Sequence, residues 1–234
     1  MVSKFKCYAW LALGLLFFSG CSDDDNGNDR PEIIDFHFSN DAEAWSGDFA
    51  DYPLGEEDFY ELELGYAALP DPLDNSDGAL RQTGNNHSDD LFMFIKRKIT
   101  GLDPDREYRI YFDLRIASDA PEGSVGIGGS PAESVIIKAG AVKEEPKKKV
   151  NENDYYEMNI DKGNQSQPGE DMINLGNFSN ETDADTYTIV QRSNTDPFTA
   201  TSNADGELWL VIGTDSGFEG TTTIYYDSIS VTFE

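Results

Sequence analysis

Hydrophobic and polar residues alternate strictly along one stretch near the middle of the chain, from Tyr108 to Ile116. Its even-numbered positions are aromatic or aliphatic, and its odd-numbered positions are Arg109, Tyr111, Asp113 and Arg115. A period of two residues is typical of a β-strand with one buried face, because successive side chains point to opposite faces of the sheet. The segment before it, residues 101–105, combines Gly, Pro and Asp in a manner typical of tight turns. The pattern therefore predicts a turn and then a long strand whose odd-numbered residues face away from the core.

Shorter stretches of the same kind recur along the chain and are separated by Gly, Asn, Asp and Pro. They predict strands at residues 33–38, 59–66, 79–83, 91–99, 135–142, 155–160, 172–176, 186–192, 198–202, 208–213 and 224–233. No capped stretch with the period of a helix stands out after residue 20. Many short strands joined by turns indicate an all-β fold, namely an antiparallel sandwich of two sheets over residues 32–234.

The composition and net charge of the chain exclude some classes of function. The chain has 234 residues and a formal net charge of −28. A surface this acidic repels the phosphates of nucleic acids and anionic lipid head groups, so no nucleic-acid partner is expected. Hydrophobic residues make up 38% of the chain and aromatic residues 12%, which is enough for a core and excludes a disordered acidic chain.

The N-terminal segment is typical of export. Lys4 and Lys6 precede an apolar run, residues 7–18, which is shorter than the roughly 20 residues of a spanning helix. Residues 1–20 are therefore predicted to be a signal peptide. The segment ends in Phe-Ser-Gly-Cys, which resembles a bacterial lipobox and implies that Cys21 is lipidated and anchors the chain to the membrane. Ordinary cleavage or a retained anchor is the alternative. The other cysteine, Cys7, lies in the leader, so no disulfide is expected in the exported domain.

Residues 21–31 form a polar segment without apolar side chains, which predicts a flexible tether. Its acidic run, residues 23–25, resembles the surface-export signal of Bacteroidetes lipoproteins. This resemblance implies a lipid-anchored protein exposed on the surface of the outer membrane. The alternative is that the run is a solvated spacer.

Three landmarks in the domain carry a second resemblance. The chain opens with a strand, a polar turn and Trp45. It continues with Gly-Leu-x-Pro-x-x-x-Tyr-x-Ile-x-Phe at residues 101–112, and it closes with Ile-Tyr-Tyr-Asp-Ser-Ile-Ser-Val-Thr-Phe at residues 224–233. In this order they resemble jelly-roll carbohydrate-binding modules and related galactose-binding-like domains. The resemblance implies a jelly-roll β-sandwich that binds glycans without catalysis. Residues 85–90, 127–131 and 163–167 match no binding-module motif and are compatible with an uncharacterised family of bacterial lipoproteins.

The outward face of the central strand is the predicted ligand surface. The ring of Tyr111 lies between Arg109 and Arg115, and planar donors beside a flat ring suit the hydroxyls and C–H faces of a sugar. Trp209 either adds a second aromatic platform or belongs to the core. The alternative for this face is an exposed sheet with charge pairs and no ligand.

A structural calcium site is predicted near Asp227. This residue is in phase with Ile229 and Val231, which predicts an inward side chain, and an inward carboxylate is costly unless it is paired or metal-bound. The jelly-roll resemblance makes the first and last strands neighbours, which brings Asp41 and Glu43 near Asp227. Three carboxylates are ligands of the kind that calcium takes. The alternative is that Asp227 caps backbone N–H groups.

Signatures of catalysis are few. The chain has two histidines, His37 and His87, and neither a Gly-x-Ser-x-Gly elbow nor a His-x-x-x-His pair. A non-enzyme is therefore expected. Two alternatives to glycan binding stay open, namely a structural or adhesive surface protein and a hydrolase that uses acidic residues.

Overall fold

The computed structural model describes residues 31–234. The predicted signal peptide, the predicted lipidation of Cys21 and the tether up to residue 30 lie outside the described residues. The described strands are β1 (Glu32–His37), β2 (Ser46–Ala50), β3 (Tyr52–Pro53), β4 (Glu63–Ala68), β5 (Gly78–Asn85), β6 (Leu91–Thr100), β7 (Glu107–Ser118), β8 (Val135–Val142), β9 (Lys148–Val150), β10 (Tyr155–Met158), β11 (Ile173–Asn177), β12 (Thr188–Ser193), β13 (Phe198–Thr201), β14 (Glu207–Ser216) and β15 (Thr221–Phe233).

Two antiparallel sheets form the body of the domain. The seven-stranded sheet has the order β12-β7-β15-β5-β4, with β1 paired to β15 and β13 paired to β7. The five-stranded sheet has the order β11-β8-β14-β6-β2. One hydrophobic core takes side chains from both sheets, so the sheets pack face to face. The predicted all-β, two-sheet antiparallel jelly-roll β-sandwich is confirmed as the fold class.

The hydrophobic side chains at alternate positions of β7 point into this core. The even-numbered side chains from Tyr108 to Ile116 are at most 5% exposed. They meet Leu208, Leu210 and Ile212 of the facing sheet in the same cluster. Full burial of one such side chain contributes about 1.5–3 kcal/mol, which explains why the period of two is so strict here.

A third, smaller sheet was not predicted. Strands β3, β10 and β9 form it, in that order. A second core joins Phe92, Phe94 and Val211 on the outer face of the five-stranded sheet to Met158 and Met172. Residues 145–172, which we call the covering segment, therefore lie over part of that face. Residues 143–150 carry four lysines, a composition that predicts a solvated loop, but their last three residues form β9 and pair with β10.

Two loops also differ from their predictions. β4 begins at Glu63, because residues 56–62 form turns that bury Tyr60 to 2% exposure. The glycine content of residues 123–131 predicts a hairpin, but the segment is a loop in which a single bridge joins Ile127 to Glu219. No helix among residues 31–234 is long and apolar enough to cross a membrane.

Candidate functional site

The outer face of the seven-stranded sheet carries Tyr111 as predicted. Tyr111 is half-buried, and its hydroxyl accepts a hydrogen bond from Arg109 Nη2 at 2.9 Å. The guanidinium carbon of Arg109 lies 5.9 Å from the centroid of the ring. Arg109 also lies 3.2 Å from the carboxylate of Glu234, so its charge is paired while 58% of its side chain stays exposed. The structure therefore brings the predicted ring and planar donor together.

A row of polar side chains extends from this ring along β7 and β15. On β15, Ser228, Ser230 and Thr232 lie opposite Arg115, Asp113 and Tyr111 respectively. Their neighbours Ile229, Val231 and Phe233 are buried, so the three hydroxyls share the outer face. On the other side of β7, Gln191 Nε2 lies 2.7 Å from both carboxylate oxygens of Asp113. Hydroxyl, amide, carboxylate and guanidinium groups thus share one outer sheet face with the phenol ring.

Ile33 belongs to the same surface, and sequence reasoning did not place it there. It lies opposite Thr232 in the β1–β15 register and is 61% exposed. Ile33 and Tyr111 therefore flank Thr232 on two strands about 10 Å apart, since neighbouring strands lie about 4.8 Å apart. The alternating pattern of β1 is consistent with an outward side chain at Ile33, but only the pairing of β1 with β15 places this residue near Tyr111. We call this surface the Tyr111 face; its members are Ile33, Arg109, Tyr111, Asp113, Arg115, Gln191, Ser228, Ser230 and Thr232.

Trp209 lies on the opposite side of the molecule, so its suggested place beside Tyr111 is wrong. Its neighbours Leu208 and Leu210 are buried in the main core. Trp209 therefore faces outward from the five-stranded sheet, where it is partly exposed and Lys96 Nζ lies 5.7 Å from its ring centroid. The outer faces of two stacked sheets point away from each other, and the sequence did not show which sheet β14 joins.

Asp227 does not face the core, and this prediction is also wrong. The β7–β15 register shifts between Tyr226 and Ser228, which places a bulge at Asp227. Its side chain therefore leaves the phase of Ile229 and accepts a hydrogen bond from Arg115 Nε at 2.9 Å. A bulge bends the strand and redirects one side chain, which an alternating pattern alone does not reveal.

The predicted calcium site at Asp41, Glu43 and Asp227 is accordingly not assembled. The first and last strands are antiparallel neighbours as expected, and the N–H of Phe38 donates to the carbonyl of Asp227 at 3.2 Å. The carboxylate of Asp41, however, accepts the N–H of Glu43 at 2.6 Å. Within residues 31–234, the one group of three acidic side chains close enough to share a cation lies elsewhere.

That group is part of a buried charged cluster under the covering segment. Lys138 and Asp215 are wholly buried on the outer face of the five-stranded sheet, with Nζ and Oδ2 3.0 Å apart. Lys162 of the covering segment lies 2.9 Å from the same oxygen and 2.8 Å from Asp51 Oδ2. Burial lowers the pKa of Lys138. Burial also opposes the charge of Lys162, but the charges of Asp215 and Asp51 outweigh it and raise the pKa of Lys162.

Asp90 completes the cluster. Burial, followed by the negative charge of Asp51, raises the pKa of Asp90 to about 7, although Lys162 opposes the shift. Asp51, Asp90 and Lys162 line a recess of about 310 Å³ together with Glu157 and Asp161. Sequence reasoning missed this cluster. Its signal was a pair of charged residues of opposite sign within two apolar strands, Lys138 in β8 and Asp215 in β14.

The comparisons with known proteins gave structural similarity alone. No family model and no curated protein matches the chain. Among solved structures, the carbohydrate-binding module TmCBM27, studied for mannan recognition, is 15% identical with a TM-score of 0.43, over 88% of this chain and 99% of that one. The xylan-binding CBM22-1 domain of Paenibacillus barcinonensis Xyn10C is 10% identical with a TM-score of 0.38, over 86% of this chain and 94% of that one.

A third solved structure is CBM28, a carbohydrate-binding module specific for non-crystalline cellulose. It is 14% identical with a TM-score of 0.35, over 79% of this chain and 85% of that one. Because the identities and scores are this low, no residue of this chain takes a role from these structures.

Proposed function

We propose that this chain is a cell-surface lipoprotein whose domain binds a glycan, without catalysis, on the Tyr111 face. The observation that carries the proposal is an aromatic ring set among hydroxyl, amide, carboxylate and guanidinium groups on an outer sheet face. The covering segment lies on the other sheet, so it does not screen Tyr111. The anchoring part rests on the lipobox-like ending at Cys21 and the acidic residues after it.

The chemistry of this face suits a polyhydroxylated ligand. A sugar offers hydroxyls that both donate and accept hydrogen bonds, and C–H faces that stack on a flat ring. The side chains of Arg109 and Arg115 are 58% and 56% exposed, so their free N–H groups are available as donors. The carboxylate of Asp113 provides acceptors beside them. Ile33, on the far side of β15 from Tyr111, adds a second exposed apolar side chain to this face.

A glycan array probed with the full chain tests the proposal. We expect binding to at least one polysaccharide, and Tyr111→Ala should weaken it tenfold or more, because an aromatic side chain buried by a ligand contributes on the order of 1–3 kcal/mol. The melting temperature should barely change, since Tyr111 is outside the core. Trp209→Ala is the matched control, because it removes an aromatic ring from the opposite face.

Other results of these binding experiments would support a different site or a different function. Full affinity in Tyr111→Ala with loss in Trp209→Ala would move the site to the five-stranded sheet. Binding to no glycan would favour a structural or adhesive role. Incubation with the bound glycan should release no product, and product formation that disappears in Asp90→Asn would instead indicate a hydrolase.

A further inference from the structure

Three carboxylates converge where the covering segment meets the five-stranded sheet. One oxygen from each of Asp51, Asp90 and Asp215 lies within 4.8 Å of the other two. Asp51 is 7% exposed and Asp215 is wholly buried. Asp51 follows β2, Asp90 precedes β6 and Asp215 lies near the end of β14, so tertiary structure alone assembles the group.

Two oxygens of this group are buried with neither a hydrogen bond nor an ion pair. Oδ2 of Asp215 accepts hydrogen bonds from Lys162 Nζ and from the N–H of Gln165, both at 2.9 Å. Oδ1 of Asp215 receives no hydrogen bond, and neither does Oδ1 of Asp90. A buried carboxylate oxygen is costly unless a donor or a cation faces it.

The neighbouring ammonium groups have no donor left for these oxygens. Lys138 donates to the carbonyls of Lys162 and Gln167 at 2.8 and 2.9 Å, and its third contact is Asp215 Oδ2. Lys162 contacts Asp51, Asp215 and the carbonyl of Gly163. An ammonium carries three N–H donors, so both groups are fully used. When all three carboxylates are ionised, the two ammoniums leave one negative charge uncompensated.

We propose that Asp51, Asp90 and Asp215 form a binding site for a calcium ion. Calcium prefers oxygen ligands and tolerates irregular geometry, whereas magnesium demands a near-ideal octahedron that this mixed cluster does not offer. The recess of about 310 Å³ gives access, and its rim adds the negative charges of Glu157 and Asp161. The bound ion would hold the covering segment to the sheet. This site is independent of the Tyr111 face.

Thermal melting of the full chain, stripped with a chelator, tests the site. For an affinity of roughly 0.1–1 mM, 10 mM calcium should raise the melting temperature by about 3–10 °C. Asp90→Asn should abolish the rise, because it removes a charge and keeps the shape of the side chain. Asp227→Asn is the matched control and should keep the full rise, since Asp227 lies on the opposite sheet.

Terbium luminescence provides a direct measure of occupancy. Tyr155 donates a hydrogen bond to the carbonyl of Asp51 at 3.1 Å and is close enough to sensitise a bound lanthanide. The signal should be displaced by calcium and lost in Asp90→Asn. If that variant does not fold, Asp51→Asn replaces it. An unchanged melting temperature in the parent chain, a rise that survives in both variants, or a rise lost only in Asp227→Asn would overturn the proposal.

Discussion

At the scale of single residues, Lys138 carries the charge that depends most on its partners. Its ammonium is wholly buried and is held by Asp215 and two backbone carbonyls. Removing one partner from a buried ion pair leaves an uncompensated charge, which typically costs about 3–5 kcal/mol. Lys162 still contacts Asp215 and compensates part of this loss. The residue therefore contributes through the charges around it more than through packing.

Lys138→Met should accordingly lower the free energy of unfolding by roughly 3 kcal/mol, measured by chemical denaturation. Lys98→Met is the matched control. Its ammonium lies 2.7 Å from Glu207, but its side chain is 42% exposed, so we expect a loss of at most about 1 kcal/mol. Equal losses in the two variants would contradict the role of burial.

At the scale of elements, the covering segment lies directly on the backbone of β8. A Cβ added at Gly140 would overlap the carbonyl oxygen of Asp171, so the absence of a side chain allows this close approach. The contact is between two backbones, and neither can rotate away as a flexible side chain would. Gly140 therefore helps to determine how closely the covering segment can approach β8.

Gly140→Ala should lower the free energy of unfolding by about 1–3 kcal/mol, because the added methyl forces the covering segment outward. Hydrogen exchange should accelerate first in residues 155–172. Gly65→Ala is the control: Gly65 lies in β4 with open space around its added Cβ, and its variant should stay within about 0.5 kcal/mol of the parent. Uniform exchange across both sheets in Gly140→Ala would indicate that the segment is not a separate unit.

At the scale of the whole molecule, the predicted anchor can be tested against the other cysteine. Cys21→Ala should abolish labelling with fatty acid and remove the chain from the membrane fraction. Cys7→Ala should retain both properties, because Cys7 lies within the predicted leader. Labelling that persists in Cys21→Ala would exclude the lipobox assignment and leave ordinary cleavage or a retained anchor.

Much of the fold could be predicted from local patterns. The faces of β7 were read correctly from Tyr108 to Ile116, and β8 spans the predicted residues 135–142. When one side of a sheet is buried, the residues of each strand alternate between hydrophobic and polar. The alternation therefore shows on which side of its own strand each residue lies. For the same reason, Arg109, Tyr111 and Arg115 could be placed on an outer face before any pairing was known.

Tertiary structure alone decided on which sheet each outward-facing residue lies. Tyr111 and Trp209 both alternate outward, yet they lie on opposite sheets, because alternation carries no record of the partner strand. The bulge at Asp227 and the covering segment over Phe92 and Phe94 likewise depend on contacts between residues far apart in the chain. The cluster of Asp51, Asp90 and Asp215 is the clearest case, since the fold brings together both its carboxylates and the lysines beside them from distant parts of the chain.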